Sequence, residues 1–165
     1  MNLTLELIEK AARQGNLAHL LLFHGGAAPK RKESALRIAK ILNCHQVHLA
    51  PCEQCNSCRK INSGNHPDVA VLAPVRTSIG IEQVLQWQEM VCRKHYEGRY
   101  KVFVVEQADR LTLPAANALL KVIEEPPERT IIILSAENAA NLLPTIQSRA
   151  QGVFFPYLHE QEWLE

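Results

Sequence analysis

Residues 19–42 read HLLLFHGGAAPKRKESALRIAKIL, and this segment is the strongest indication of a fold class in the chain. Its apolar run ends in Gly-Gly, which predicts a buried strand followed by a tight turn. Apolar residues then recur at helical spacing up to Leu42, which predicts a helix from about Lys32. Strand, turn and helix in this order form the building unit of a parallel α/β sheet.

The rest of the chain repeats this alternation of short apolar runs and helical segments. Four more strands are predicted, at Val69–Leu72, Val102–Val105, Ile131–Leu134 and in GVFFPY near the end. Helices are predicted in LTLELIEKAARQG, in IGIEQVLQWQEMVCRKHYEG up to Gly98, in LPAANALLKVIEEPPE and in LLPTIQSRA. Short apolar strands between helices predict an α/β fold, a mostly parallel buried sheet with helices on both faces.

Composition is typical of one globular domain. The chain has 165 residues, a net charge of +1 and 47% hydrophobic residues. This charge balance requires neither a nucleic-acid nor a membrane partner. The first residues resemble no signal peptide, and no apolar stretch reaches the roughly 20 residues that span a bilayer. We therefore expect a cytoplasmic protein without a membrane segment.

The Gly-Gly turn lies where a phosphate-binding loop would lie, but it departs from G-x-x-x-x-G-K-[ST]. Gly25 is present, whereas Ala28 and Lys30 replace later glycines. Arg31 stands in place of the lysine, and Lys32 in place of the hydroxyl residue. A shift of register would let Lys30 or Lys32 point inward, with Ser34 as the hydroxyl, but no register restores the glycines. We expect a basic, solvated loop that binds ATP weakly or not at all.

The strand VFVV ends in Glu106 and Gln107, where an active P-loop ATPase carries an Asp for magnesium and a Glu for water. Glu106 keeps a carboxylate on a longer side chain. Gln107 cannot act as a base, because an amide accepts no proton at neutral pH. Gly25, Lys30, Arg31, Lys32 and Glu106 are therefore candidates for a degenerate, inactive nucleotide site.

A cluster of cysteines predicts a structural zinc site. Short C-x-x-C turns bring thiolates to the distance that tetrahedral zinc requires, and four of them close its coordination shell. His45 and His48 lie nearby but are not needed as ligands. The predicted ligands, in a polar loop module of about residues 44–65, are Cys44, Cys52, Cys55 and Cys58. Cys92 stands alone and is expected to be a small core residue.

Several long motifs resemble one family. PCEQCNSCRKINSGNHPDV, IGIEQV, KVFVVEQADRLTLPAANALLKVIEEPPERTIIIL and LLPTIQSRA resemble the AAA+ subunits of bacterial DNA polymerase III clamp loaders. The resemblance runs from about Leu17 to Phe155. The degenerate loop and the altered Glu-Gln pair are most similar to its delta prime branch, rather than to the ATP-hydrolysing gamma/tau branch.

The resemblance implies a P-loop NTPase-like (AAA+, RecA-like) domain over residues 1–158, with the zinc module inserted and with residues 159–165 beginning a lid domain. It implies a non-hydrolysing subunit of the complex that loads the sliding clamp on primed DNA. The implied partners are gamma/tau-type and delta-type subunits, and, through the complex, the clamp and primer-template DNA.

The resemblance also implies one site residue that acts on another chain. The family's S-R-C motif presents an arginine to ATP bound by the neighbouring subunit. Ser148 and Arg149 match it here, and Ala150 replaces the cysteine. Arg149 is thus the candidate arginine finger, which would stabilise charge on the transferred phosphoryl group.

Two other functions remain open at this point. The chain could be a divergent gamma-like ATPase that uses Lys30 or Lys32 with Glu106. It could instead be a stand-alone adaptor stabilised by zinc. ATP turnover by the chain would indicate the divergent ATPase. Failure to bind gamma-type subunits would indicate the stand-alone adaptor.

Overall fold

The computed structural model describes residues 3–157, and the expected lid segment at 159–165 lies outside them. Five strands form one sheet in the order β2-β3-β4-β1-β5, and every neighbouring pair is parallel. The strands are β1 (Leu20–Gly25), β2 (Val69–Leu72), β3 (Lys101–Val105), β4 (Thr130–Ala136) and β5 (Gln151–Phe155). The helices are α1 (Leu3–Gln14), α2 (Ala28–Asn43), α3 (Asn56–Ser63), α4 (Ile81–Cys92), α5 (Leu113–Glu124) and α6 (Pro144–Gln147). The predicted parallel α/β sheet is confirmed.

The core consists of two hydrophobic layers, one on each face of the sheet. On one face, α4 and α5 pack with residues such as Trp87 and Leu119 against Phe103 of β3. On the other face, α1, α2 and α3 pack with residues such as Ile38 and Ile61. Every residue of β3 and β4 is buried, as expected for strands covered on both faces.

The structure corrects the expected end of α4. The helix ends at Cys92, and Arg93 already has an extended backbone. The buried Lys101 ammonium hydrogen-bonds the carbonyls of Met90 (2.8 Å), Val91 (3.3 Å) and Arg93, so that a cation satisfies the orphan acceptors of this terminus. Cys92 is exposed at this end, and its assignment to the core was wrong.

Two further helix boundaries differ from the sequence prediction. Helix α2 begins at Ala28, about a turn before Lys32, because Pro29 occupies its first turn, where a missing N–H costs nothing. Arg31 and Lys32 are therefore helical residues. Helix α3 lies within the cysteine module, where only a polar loop was expected. Its first turn is capped by the Cys55 side chain, which accepts from the Cys58 N–H.

Candidate functional site

The Gly-Gly turn is closed by an arginine from the helix that follows it. Arg31 is only 2% exposed, which contradicts the expected solvated loop. Its Nε donates to Ser135 Oγ at 2.9 Å, and its Nη1 donates to the Gly26 carbonyl at 2.9 Å and to the Gly25 carbonyl. The guanidinium is satisfied by the loop itself and by β4. A positive group is thus held inside the turn in which a P-loop would enclose phosphates.

The two glycines of this turn are required by packing. Both have positive φ, 81° at Gly25 and 53° at Gly26, a region that favours glycine. A Cβ at Gly25 would lie 2.6 Å from the Phe155 carbonyl oxygen, and one at Gly26 would lie 2.9 Å from Phe155 Cβ. The turn lies directly on the end of β5, so the glycines do not by themselves indicate a ligand.

The two lysines beside Arg31 are engaged in ion pairs. Lys32 Nζ lies 3.2 Å from Glu106 Oε1, just beyond the carboxyl end of β3. Lys30 pairs at 3.5 Å with Glu33 on its own helix, and both side chains are well exposed. The structure therefore brings together Gly25, Arg31, Lys32 and Glu106 and leaves Lys30 at the surface. Within this group, the cations already have acceptors.

The four predicted cysteines converge. Their sulfur atoms all lie within 4.8 Å of one another, and none of them is in a disulfide. In tetrahedral coordination with Zn–S bonds of about 2.3 Å, the sulfur atoms lie about 3.8 Å apart. The four sulfurs of this cluster are therefore close enough to coordinate one such ion. Cys44 and Cys58 are buried, whereas Cys52 and Cys55 are half-buried. The cluster can hold a metal, as the spacing predicted.

Backbone N–H groups surround the sulfur atoms and favour the thiolate form. Cys52 Sγ accepts from the N–H groups of Gln54 (3.4 Å) and Cys55 (3.2 Å). Cys44 Sγ accepts from Cys52 N, and Cys55 Sγ from Cys58 N, each at 3.4 Å. Such donors stabilise the charge that metal coordination requires.

The pKa values of the four thiols divide into two pairs. Burial alone would raise the pKa of Cys55, but hydrogen bonds from the Cys58 and His45 backbones and neighbouring thiols lower it to about 6. Hydrogen bonds from Gln54 and Cys55 lower the pKa of Cys52. Burial raises the pKa of Cys58 to about 12 and also raises that of Cys44. A cation that ligates all four would have to displace the protons of the second pair.

Arg149 lies between α6 and β5 and is held by two contacts. Its Nη1 donates to the Thr145 carbonyl at 2.8 Å, and its Nη2 donates to Glu124 Oε1 at 3.2 Å. The Arg149 side chain remains 41% exposed. A guanidinium has five N–H donors, so most of its donors remain available to a ligand. The finger role of Arg149 stays a prediction.

Sequence reasoning missed the partners of these groups. Ser135 is a hydroxyl within the otherwise apolar run IIILSA, and a buried polar residue in a central strand signals a specific partner. Glu124 is the last residue of α5, and nothing in its spacing from Arg149 in the sequence indicates the contact. Both contacts join segments far apart in sequence.

Comparison with known proteins defines the family. The family described as DNA polymerase III, delta subunit matches residues 2–159. The chain therefore belongs to the DNA polymerase III delta subunit family. It is 36% identical over 151 residues to the subunit delta' of Bacillus subtilis, covering 92% of this chain and 46% of that protein. It is 42% identical over 132 residues to the subunit delta' of Haemophilus influenzae, covering 78% of this chain and 40% of that protein.

The wider comparisons agree on the fold. The gamma/tau subunit of Mycobacterium tuberculosis is 35% identical over 147 residues, which are 87% of this chain and 25% of that protein. A gamma subunit-related protein of Thermotoga maritima superposes with a TM-score of 0.71 at 23% identity, covering 96% of this chain and 47% of that one. The RuvB branch migration motor of the same organism superposes at 0.60, with 12% identity, 96% of this chain and 45% of that one. The fold is that of the P-loop AAA+ proteins, and the chain spans less than half the length of these relatives.

Among residues 3–157, no helix is both long and apolar enough to cross a membrane.

Proposed function

We propose that this chain forms the AAA+ domain of a delta prime-like clamp-loader subunit that does not hydrolyse ATP. In this role it assembles with gamma/tau-type and delta-type subunits in the cytoplasm. The assembly loads the sliding clamp on primed DNA. The domain presents Arg149 to ATP bound by a neighbouring subunit.

The observation that carries the proposal is the closed Gly-Gly turn. The Arg31 guanidinium is buried and bonded to the carbonyls of Gly25 and Gly26 and to Ser135. A bound nucleotide would have to displace these contacts and break the Lys32–Glu106 ion pair. Displacing Arg31 would leave two backbone carbonyls and the Ser135 hydroxyl without their donor, and each buried polar group left unpaired costs about 1–3 kcal/mol. ATP binding is therefore opposed at the step of entry.

The contacts of Arg149 support its assignment as the finger. The residue follows α6 directly, and its side chain is anchored by the Thr145 carbonyl and the Glu124 carboxylate. Anchoring limits the number of rotamers that a long side chain samples, which lowers the entropy lost on contact with a phosphate. An arginine supplied in this way contributes about 10³-fold or more to phosphoryl transfer.

We further propose zinc as the metal of the cysteine cluster. Four cysteine sulfurs within 4.8 Å of one another, with no carboxylate in the group, favour zinc over hard cations. With four protein ligands no position remains for water, so the role is structural. The ion would tie α3 and the preceding loop to the end of α2 at Cys44.

The first experiment is a titration of the purified chain with a fluorescent ATP analogue in the presence of magnesium. We expect no saturable binding up to millimolar concentration. Arg31→Ala is a useful second variant, because it removes the guanidinium that fills the turn. Saturable, magnesium-dependent binding by the unmodified chain would refute the closed-loop argument.

The second experiment tests Arg149 in a complex with gamma-type ATPase subunits. Arg149→Ala should reduce DNA- and clamp-stimulated ATP hydrolysis strongly without preventing assembly. The matched control is Arg110→Ala, which removes an exposed arginine from the turn after β3. Equal hydrolysis by both variants would eliminate the finger role.

A divergent gamma-like ATPase is the second candidate. The observation in its favour is the 35% identity to gamma/tau subunits over 87% of the chain. Steady-state ATP turnover by the chain alone, lost in Lys32→Ala, would establish this candidate instead.

A further inference from the structure

A rigid surface loop joins α4 to β3 and has no part in the function proposed above. It reads RKHYEGRY, residues 93–100. The buried carboxylate of Asp68 accepts from three consecutive N–H groups of this loop, those of Tyr96 (2.8 Å), Glu97 (2.8 Å) and Gly98 (2.6 Å). Three bonds to one side chain fix the backbone over this stretch.

A second buried side chain fixes the end of the same loop. Asn43 Oδ1 accepts from Tyr100 N at 3.0 Å, and Asn43 Nδ2 donates to the Tyr100 carbonyl at 3.1 Å. A Cβ at Gly98 would lie 2.8 Å from Asn43 Oδ1 and 3.1 Å from Asp68 Oδ2, so only glycine permits this approach. The loop is thus preorganised rather than a flexible connection.

This fixed backbone displays an aromatic ring and several cations to solvent. Tyr96 is 81% exposed, which is unusual for a large amphipathic side chain on a well-fixed backbone. Arg93, Lys94 and Arg99 are also exposed. Across from them, Arg129 is exposed in a left-handed turn before β4, and its carbonyl contacts His95 Nε2 at 3.2 Å.

These cations line two adjacent depressions at the amino ends of β3 and β4. One, of about 420 Å³, is lined by Arg93 and Lys94, with Glu128 as its single acid among the described residues. The other, of about 300 Å³, is lined by Arg13, Arg99 and Arg129 and by no described acid. We call these five residues the basic edge: Arg13, Arg93, Lys94, Arg99 and Arg129. Glu9 pairs with Arg13 of this edge at 3.5 Å as well as with Arg37, and Glu97 pairs with Lys60. Among the described residues, the other four cations of the edge form no ion pair with an acid.

We propose that the basic edge binds single-stranded nucleic acid, with phosphates at the arginines and Lys94 and one base stacked on Tyr96. A chain with a net charge of only +1 concentrates five cations here, which is the arrangement that tracks a phosphate backbone. Tyr96 can stack only on a base that is free of its complement, so a single strand fits better than a duplex. An acidic protein segment would pair with the cations but would offer no base to stack on the Tyr96 ring.

This site is independent of the closed turn and of Arg149. The turn that holds Arg31 follows the carboxyl end of β1, whereas the basic edge lies at the amino ends of the neighbouring strands. Failure of the proposed function would therefore leave this inference standing, and the reverse is also true.

The test measures fluorescence anisotropy of a labelled mixed-sequence 20-nucleotide strand with the purified chain. Two further measurements use the same strand annealed to its complement as a duplex, and the labelled single strand in competition with polyglutamate. If the edge neutralises about four phosphates, the slope of log K against log salt is about −3. Arg93→Ala combined with Lys94→Ala should make that slope shallower by about 1.4. Tyr96→Ala should weaken binding by about fivefold or more at unchanged slope.

The matched control combines Arg59→Ala with Arg110→Ala, which removes the same charge from exposed positions on α3 and in the turn after β3. It should bind like the unmodified chain. Circular dichroism and thermal denaturation confirm that each variant is folded. An equal loss in the control, equal affinity for the duplex, or full competition by polyglutamate would each overturn the proposal, the last in favour of an acidic protein partner.

Discussion

Asp68→Asn replaces only one carboxylate oxygen by an NH₂ group, but it should lower the free energy of unfolding of this domain substantially. Asp68 is 3% exposed, and its carboxylate accepts from the N–H groups of Tyr96, Glu97 and Gly98. The asparagine has one acceptor oxygen, so an orientation that keeps the bonds to Glu97 and Gly98 turns its NH₂ group toward the Tyr96 N–H.

The expected cost follows from these contacts. A hydrogen bond to a charged group contributes about 1.5–3 kcal/mol and a neutral one about 1 kcal/mol, so loss of the charge removes about 1 kcal/mol from each retained bond. The N–H of Tyr96 that loses its acceptor costs about 1 kcal/mol more. The sum is about 3 kcal/mol in the free energy of unfolding, or roughly 6–12 °C in Tm for a chain of this size.

The assay is urea and thermal denaturation at neutral pH, with Asp109→Asn as the control. Asp109 is a half-buried acid in the turn after β3, and its replacement should change stability by no more than about 0.5 kcal/mol. A loss for Asp68→Asn within 0.5 kcal/mol of the control would refute the view that this carboxylate organises the loop.

The pH dependence provides a second check on the same residue. Burial would raise the pKa of Asp68, but the three N–H donors outweigh it, so the pKa in the folded state lies below the ordinary value. A depressed pKa contributes stability that is complete above the unfolded value of about 3.9 and is lost as the pH falls through the folded value. The difference between the unmodified chain and Asp68→Asn should therefore shrink only below about pH 4.

Three other outcomes are expected. Removal of metal with a chelator in reducing buffer should release about one zinc per chain and lower Tm, and Cys58→Ser should retain well under one zinc; metal analysis with calorimetry checks both. Arg31→Met should destabilise the fold by about 3 kcal/mol, because three acceptors around the turn lose their donor, whereas the exposed Lys30→Met should be nearly neutral in the same denaturation assay. Glu124→Gln should lower ATP hydrolysis severalfold in a complex with gamma-type subunits, because it weakens the contact that anchors Arg149. Its Tm should change by no more than about 1 °C, because an exposed ion pair contributes little to stability. Unchanged hydrolysis would show that Glu124 does not position Arg149.

Periodicity predicted the sheet because each strand contains a short apolar run, and because the central strands β1, β3 and β4 are almost entirely buried, as in a parallel sheet covered on both faces. The cysteine cluster was equally predictable, since its ligands are close in sequence and zinc geometry restricts their spacing. The end of α4 was not, because it depends on a contact from outside the helix, whereas the start of α2 was placed too late although Pro29 signals it locally. Pro29 moves the start of α2 to Ala28, and the ammonium of Lys101 satisfies the carbonyls that end α4 at Cys92.

The nucleotide-like turn shows the same limit of local reasoning. A basic loop reads as solvated when each residue is considered alone, and three consecutive cations strengthen that interpretation. The partner that buries Arg31 is Ser135, more than a hundred positions away on β4. Such a contact follows from strand order, which places β4 beside β1, and not from any motif.

The buried Arg31 also has a consequence for how the domain responds to cellular conditions. Ordinary nucleotide-binding domains gain stability as the concentration of their ligand rises, by RT ln(1 + [L]/Kd). Here the group that fills the turn is covalently part of the chain, and its local concentration never changes. If the turn is closed to nucleotides, as proposed, the melting temperature of this domain should be the same with and without millimolar ATP or ADP.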